Sequence, residues 1–231
     1  MKYCFDLDDT LYDCSQPFVR AMEQFFPEHC DNLKEKYKYY RYIGDVNFPR
    51  VLTKEISIDE SGEIRIEEVC KKYEIPYSRE EISKFQEHYK YNQYNLQLSE
   101  TYKEFFENSN LTFGIITNGE DSHQRKKIQA LGMTKYINPN YIITSMGIGI
   151  SKPDPEIFTR FLLDNQEKAE DWFYIGDSYN NDIAASKKAG LRNIYFDRHN
   201  KKEGNQADYV VYSEEELIAL IQKIEGWNKE E

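Results

Sequence analysis

The spacing of apolar positions along the chain changes twice. Residues 2 to 7, KYCFDL, open with an apolar run that predicts a short buried strand. From Ser15 to about Leu98 the apolar positions recur at helical spacing instead. Phe18, Met22 and Phe25 fall on one face of QPFVRAMEQFF, and Pro17 suits the first turn of that helix. Ile66, Val69, Cys70 and Tyr73 share a face in GEIRIEEVCKKYEIP, with Pro76 just past its end. Ser78 and Glu81 have the spacing of a capping box that opens another helix, SREEISKFQEHYKYNQY. No strand is predicted in this stretch.

From Ser99 onward, strand and helix patterns alternate. LTFGIITNG, NYIITSMG, DWFYIGDS, RNIYF and DYVVY read as strands. SETYKEFFEN, SHQRKKIQALGM, PDPEIFTRFLLDN, NNDIAASKKAG and SEEELIALIQKIEG read as helices, with Gly132, Gly190 and Gly226 at helix ends. Such alternation predicts a parallel sheet covered on both faces. With the first strand returned to this series, the expected architecture is α/β: a doubly wound, Rossmann-like parallel sheet with an inserted α-helical cap. The expected core is residues 1–14 plus 99–231, and the expected cap is 15–98.

Composition narrows the range of partners. The chain has 231 residues, enough for one sizeable domain with a smaller insert. Its formal net charge of -11 argues against a nucleic-acid polymer, because phosphate backbones need a basic surface. An anionic substrate would need a local cation to offset the overall field. Cys4, Cys14, Cys30 and Cys70 show neither CxxC pairing nor a His at metal-site spacing, so reduced thiols are expected. MKYCFDLDD lacks the apolar segment of a signal peptide, and no run of roughly 18 apolar residues occurs. The expectation is a cytoplasmic protein with no membrane partner. Monomer and homodimer both stay open.

The chemistry gathers at predicted strand ends, where open α/β sheets bind ligands. Strand one ends in Asp6 and Asp8, the next core strand in Thr117, Asn118 and Gly119. Ser151 and Lys152 follow the third, while Gly176, Asp177 and Ser178 close the fourth, with Asp182 further on. Carboxylates crowded together repel unless a cation compensates. A phosphoryl group in transfer needs cations and donors around it, and Mg²⁺ prefers oxygen ligands. Asp6 and Asp177 suit such a metal, and an aspartate such as Asp6 can also attack phosphorus. Asp8 suits proton transfer. The Thr117 hydroxyl, the backbone N–H groups of Asn118 and Gly119, and the Lys152 ammonium suit the phosphate.

FDLDDTLYD, IITNG, SKPDPEIF and GDSYNNDIAASKKAGL, in that order, resemble the four signatures of the haloacid dehalogenase superfamily of phosphohydrolases. The resemblance runs from residue 3 to about 196. It implies Asp6 as nucleophile and Asp8 as general acid/base. It implies Thr117 and Lys152 as phosphate ligands, beside the Asn118 backbone N–H already read at the phosphate. It further implies Mg²⁺ held by the Asp6 side chain, the Asp8 backbone carbonyl and the Asp177 side chain, with Asp182 as an outer partner. Asp9 stands where the family usually has Gly. That variant is similar to pyrimidine nucleotidases and flavin mononucleotide phosphatases, and the insert resembles caps that close over small substrates. The implied reaction is hydrolysis of a small phosphorylated metabolite through an aspartyl-phosphate.

Three rivals share the fold: a 2-haloacid dehalogenase, a phosphomutase, and a non-catalytic phosphate-binding protein. Dehalogenase chemistry uses no Mg²⁺ and typically lacks an aspartate at the position of Asp8, and no signature residue is missing here. Asp9 and Asp13 read as structural or solvated. His29, His88, His123 and His199 are assigned no catalytic part. DRHNKKEGNQAD, residues 197–208, reads as a solvated loop.

Overall fold

Strand β1 (Lys2–Phe5) is buried on both faces, and this places it at the centre of the sheet. Tyr3 stacks on Phe173 with ring centroids 5.6 Å apart, and Phe5 packs edge-on against Phe106 at 5.8 Å. Cys4 faces the other way, into a cluster with Ile116, Phe158 and Tyr174. The computed structural model describes residues 1–227. Residues 228–231, assigned to the core from sequence, lie outside the described residues.

Among the described residues the sheet has six strands, all parallel, in the order β3-β2-β1-β4-β5-β6. The others are β2 (Thr112–Thr117), β3 (Ile137–Thr144), β4 (Trp172–Gly176), β5 (Arg192–Phe196) and β6 (Tyr209–Val211). Cys4 pairs in register with Gly114 of β2 and Tyr174 of β4, so the ends of these three strands lie side by side. The winding reverses at β1, the place where open sheets form a ligand crevice.

Two compact units emerge. One comprises Met1–Asp13 and the chain from Gln97; the other is Cys14–Leu96. The second contains helices α1 (Gln16–Phe25), α2 (Leu33–Leu52), α3 (Ile58–Lys72) and α4 (Arg79–Gln93). Its core joins Phe18, Met22, Tyr40, Ile66, Val69 and Phe85. Capping boxes open two of its helices: Ser78 with Glu81, as the spacing predicts, and Ser57 with Glu60. The first unit adds α5 (Glu100–Glu107), α6 (Asp121–Ala130), a single turn α7 (Ser145–Ile148), α8 (Glu156–Asp164), a short α9 (Ala185–Lys188) and α10 (Glu214–Ile224). No helix among the described residues is long and apolar enough to cross a membrane.

Two segments depart from the sequence reading. NYIITSMG is a strand only to Thr144, and its last residues form α7. NNDIAASKKAG is not one regular helix: Tyr179–Ala184 is a wide π turn that precedes α9. The loop after β5 is solvent-exposed from Asn200 to Gln206, as the sequence reading expects, and its backbone is also tied down. The buried Asp197 carboxylate accepts the N–H groups of Lys201 and Lys202 at 2.7 and 2.8 Å. The Tyr179 hydroxyl accepts those of Asn205 and Gln206 at 3.0 and 2.9 Å. Composition reads such a stretch as polar because its order comes from backbone donors, which no side-chain pattern reveals.

Candidate active site

The site grows from the carboxyl ends of β1, β2 and β4. Asp6 follows β1 directly, and its N–H still donates to Ile175 O at 2.8 Å, so the strand ladder fixes its backbone. Lys152 comes from the loop between α7 and α8. The Asn118 side chain clamps that loop: its Nδ2 donates to Lys152 O at 2.8 Å, and Lys152 N donates to its Oδ1 at 2.9 Å. Asn118 thereby positions the lysine. The Lys152 ammonium, 3% exposed, donates to Asp6 Oδ1 at 2.6 Å, Asp182 Oδ1 at 2.6 Å and the Tyr174 hydroxyl at 2.9 Å. Tyr174 in turn donates to Ile116 O at 2.8 Å, which ties this arrangement to β2.

Asp182 reaches the cluster through the π turn. Its Oδ2 accepts the N–H of Ser178 at 2.9 Å, and it packs against Gly176, where a Cβ would lie 2.4 Å from the carboxylate carbon. Only glycine allows so close an approach. π turns often mark functional segments, and here the turn delivers a carboxylate to the strand end.

Asp6, Asp177 and Asp182 each present a carboxylate oxygen within 4.8 Å of the others. Burial pushes the Asp6 carboxyl well up, and neighbouring Asp182 and Asp8 add to the rise, against the pull of Lys152. Burial, with Asp182 and Asp9, also raises Asp177 to about 6, although Lys201 lies 3.4 Å from its Oδ2. Burial favours the neutral form of Lys152, but Asp182 and Asp6 outweigh it and hold the ammonium charged well above its ordinary range. Three carboxylates against one buried ammonium leave the cluster negative. Its all-oxygen donor set fits a hard divalent cation such as Mg²⁺.

Asp8 turns toward α6 rather than toward Lys152. Its Oδ1 accepts from Lys127 Nζ at 2.8 Å and from the Tyr12 hydroxyl, and its Oδ2 accepts from Gln124 Nε2 at 2.9 Å. Burial raises its carboxyl, but Lys127, Tyr12 and Gln124 outweigh this and hold it well below the usual carboxylate range. Thr117 is buried beside it, and its Oγ1 accepts from Gln124 at 2.8 Å. The Gly119 N–H, expected to face an anion, donates instead to Ser145 Oγ at 3.0 Å. The short turn of α7 puts that serine there, which the strand reading of the segment hides.

Sequence reasoning missed Tyr174, Gln124 and Lys127. Tyr174 reads as one more core aromatic. Gln124 and Lys127 sit in a polar helix text, but with Ile128 they share one face, and all three are buried. Polar residues at core positions were the available signal. Asp9, read as structural or solvated, adopts φ +58, a left-handed backbone, which explains why glycine and aspartate both suit that position.

Fold and strand-end chemistry first define a doubly wound α/β protein with a carboxylate-rich site at the switch point of its sheet. The family follows from comparison: residues 3–196 match the model of the haloacid dehalogenase-like hydrolases, and the chain belongs to that family. Over 122 residues it is 29% identical to a glyceraldehyde 3-phosphate phosphatase of Pyrococcus furiosus, covering 51% of this chain and 50% of that protein. Over 118 residues it is 29% identical to the pyrimidine 5'-nucleotidase YjjG of Escherichia coli, covering 49% and 51%. The chain thus spans about half the length of these curated relatives. Its fold is similar to that of the magnesium-bound hydrolase YfnB of Bacillus subtilis, with a TM-score of 0.66 at 23% identity over 95% of this chain and 97% of the other.

Proposed function

We propose that this chain is a Mg²⁺-dependent phosphomonoester hydrolase that acts on a small phosphorylated metabolite in the cytoplasm. The carrying observation is the buried Lys152 ammonium between Asp6 and Asp182 at the sheet's carboxyl edge, beside Asp177. The named activities of the phosphatase and nucleotidase relatives, both on small phosphate esters, support the substrate class. Four free cysteines fit a reducing compartment.

In this reading Asp6 attacks phosphorus, and the ester oxygen departs with a proton from Asp8. Asp8 then takes a proton from water as the water oxygen attacks phosphorus. The phosphorus bond to Asp6 breaks, and phosphate leaves. Lys152 holds charge beside both the nucleophile and the transferred group. Thr117 donates its hydroxyl to a phosphoryl oxygen. Asp8, held ionised by Lys127, Tyr12 and Gln124, is in the form that accepts a proton; its acid step needs the proton to replace the Lys127 or Tyr12 hydrogen bond on Oδ1, the oxygen that Gln124 does not hold. Asp6, the Asp8 backbone carbonyl and Asp177 would hold Mg²⁺, which supplies charge neutralisation for the phosphoryl oxygens. Asp182, with both oxygens engaged, orients Lys152 and the metal-facing groups.

The test is hydrolysis of p-nitrophenyl phosphate with and without Mg²⁺. Turnover that requires the metal and disappears in Asp6→Asn is expected. Undiminished turnover in excess chelator, or in that variant, overturns the reading.

A further inference from the structure

Gln124 sits on the first turns of α6, 1% exposed in a helix text otherwise dominated by charge. Its Nε2 lies 2.9 Å from Asp8 Oδ2, 2.8 Å from Thr117 Oγ1 and 2.9 Å from Asn118 O. One amide nitrogen therefore joins the end of β1 to the end of β2. A carboxylate and a backbone carbonyl only accept, so the donor end of the amide must face them. The amide is also wedged in place: a Cβ on Gly119 would lie 2.8 Å from Gln124 Cγ, and Gly119 has φ +144. Any side chain at 119 would push Gln124 off Asp8. Lys127, one turn further on, holds the other Asp8 oxygen.

The same amide constrains the Thr117 hydroxyl. The two N–H groups of the amide are shared among three oxygens, and because Nε2 cannot accept, Thr117 Oγ1 must direct its own proton away from Gln124; its only protein acceptor among the described residues is Asn118 O at a long 3.5 Å. The proton is thus left to an acceptor beyond the strand end, where a phosphoryl oxygen would sit.

We propose that Gln124 is a positioning residue that sets the acid/base Asp8 and the phosphate-facing hydroxyl of Thr117 as one unit. The inference rests on the phosphatase reading and goes beyond it by assigning the alignment of both groups to a single amide. Gln124→Met keeps the length of the side chain and removes the donor. Gln124→Glu keeps its shape but sets an acceptor against the acceptors of Asp8 and Asn118. In either variant Asp8 loses its placement at the leaving oxygen.

Leaving-group dependence separates this role from packing. An alkoxide must be protonated as it leaves, whereas p-nitrophenolate departs without help. The experiment measures kcat/KM for β-glycerophosphate and p-nitrophenyl phosphate with Mg²⁺, in parent and both variants, alongside thermal unfolding. In a variant that melts like the parent, the glycerol ester is expected to lose roughly 100-fold and the nitrophenyl ester about 10-fold. Equal losses on the two esters, or none, overturn the proposal. A parent protein inert toward both esters overturns the phosphatase reading and this inference with it.

Discussion

The Lys152 ammonium and the Asp182 carboxylate lie 2.6 Å apart, 3% and 1% exposed, with Asp6 held at the same distance on the lysine's other side. Removing one partner of a buried pair leaves uncompensated charge, at a cost of about 3–5 kcal/mol. Lys152→Met is therefore expected to lower the stability of chelator-treated protein by about 3 kcal/mol. Adding Asp182→Asn to it removes part of the exposed repulsion. The double variant should lose about 1–2 kcal/mol less than the sum of the single losses. Urea unfolding of the four proteins checks this, and strictly additive losses would show that the two side chains act independently.

Asp9 occupies the left-handed region at φ +58, and its carbonyl accepts from Arg198 Nε at 3.2 Å. A Cβ costs roughly 1–2 kcal/mol in that region unless the residue is Gly, Asn or Asp. Asp9→Gly and Asp9→Asn should stay within about 0.5 kcal/mol of the parent, Asp9→Ala should lose about 1 kcal/mol, and Asp9→Val more. Thermal melts rank them. A valine variant as stable as the glycine variant would contradict the backbone argument.

Far from the site, the Glu167 carboxylate accepts from Lys2 Nζ at 2.6 Å, Tyr141 at 2.7 Å and Trp172 Nε1 at 3.2 Å. Burial raises its carboxyl, but these donors outweigh it and lower the net value. A carboxyl depressed in the folded state binds its proton less tightly there than when unfolded. Its stabilisation is therefore full above the unfolded value of about 4.3 and fades as pH falls through the lower folded value. Glu167→Gln should cost on the order of 2 kcal/mol at neutral pH, with the deficit closing as the solution becomes more acidic than pH 4. Denaturant titrations across pH test this, and a pH-independent deficit would refute it.

The parts legible in the sequence were those with a local signature. Alternating strands and helices, the caps of α4 and α6, and polar residues after apolar runs each follow from short-range rules, and they led to the parallel sheet. The parts missed depend on who meets whom across the fold. Tyr174 is indistinguishable from Phe173 until its hydroxyl is seen under Lys152. Gln124 and Lys127 look like surface helix residues until β1 delivers Asp8 to them. The Gly119 N–H looked available because Ser145 is 26 residues away in sequence. The π turn at Tyr179–Ala184 carries no composition signal, since the side chain of Asp182 reaching back to Ser178 shapes it.

In the proposed mechanism Asp6 itself carries the phosphoryl group. Rapid acid quench during turnover with Mg²⁺, followed by borohydride reduction and peptide mass spectrometry, reads this directly, because an acyl phosphate is reduced to the alcohol at the residue that bore it. Homoserine is expected at position 6 in the parent protein and none without substrate. Turnover with no modified residue, or with the modification at Asp8, Asp177 or Asp182 instead, would rule out Asp6 as the nucleophile.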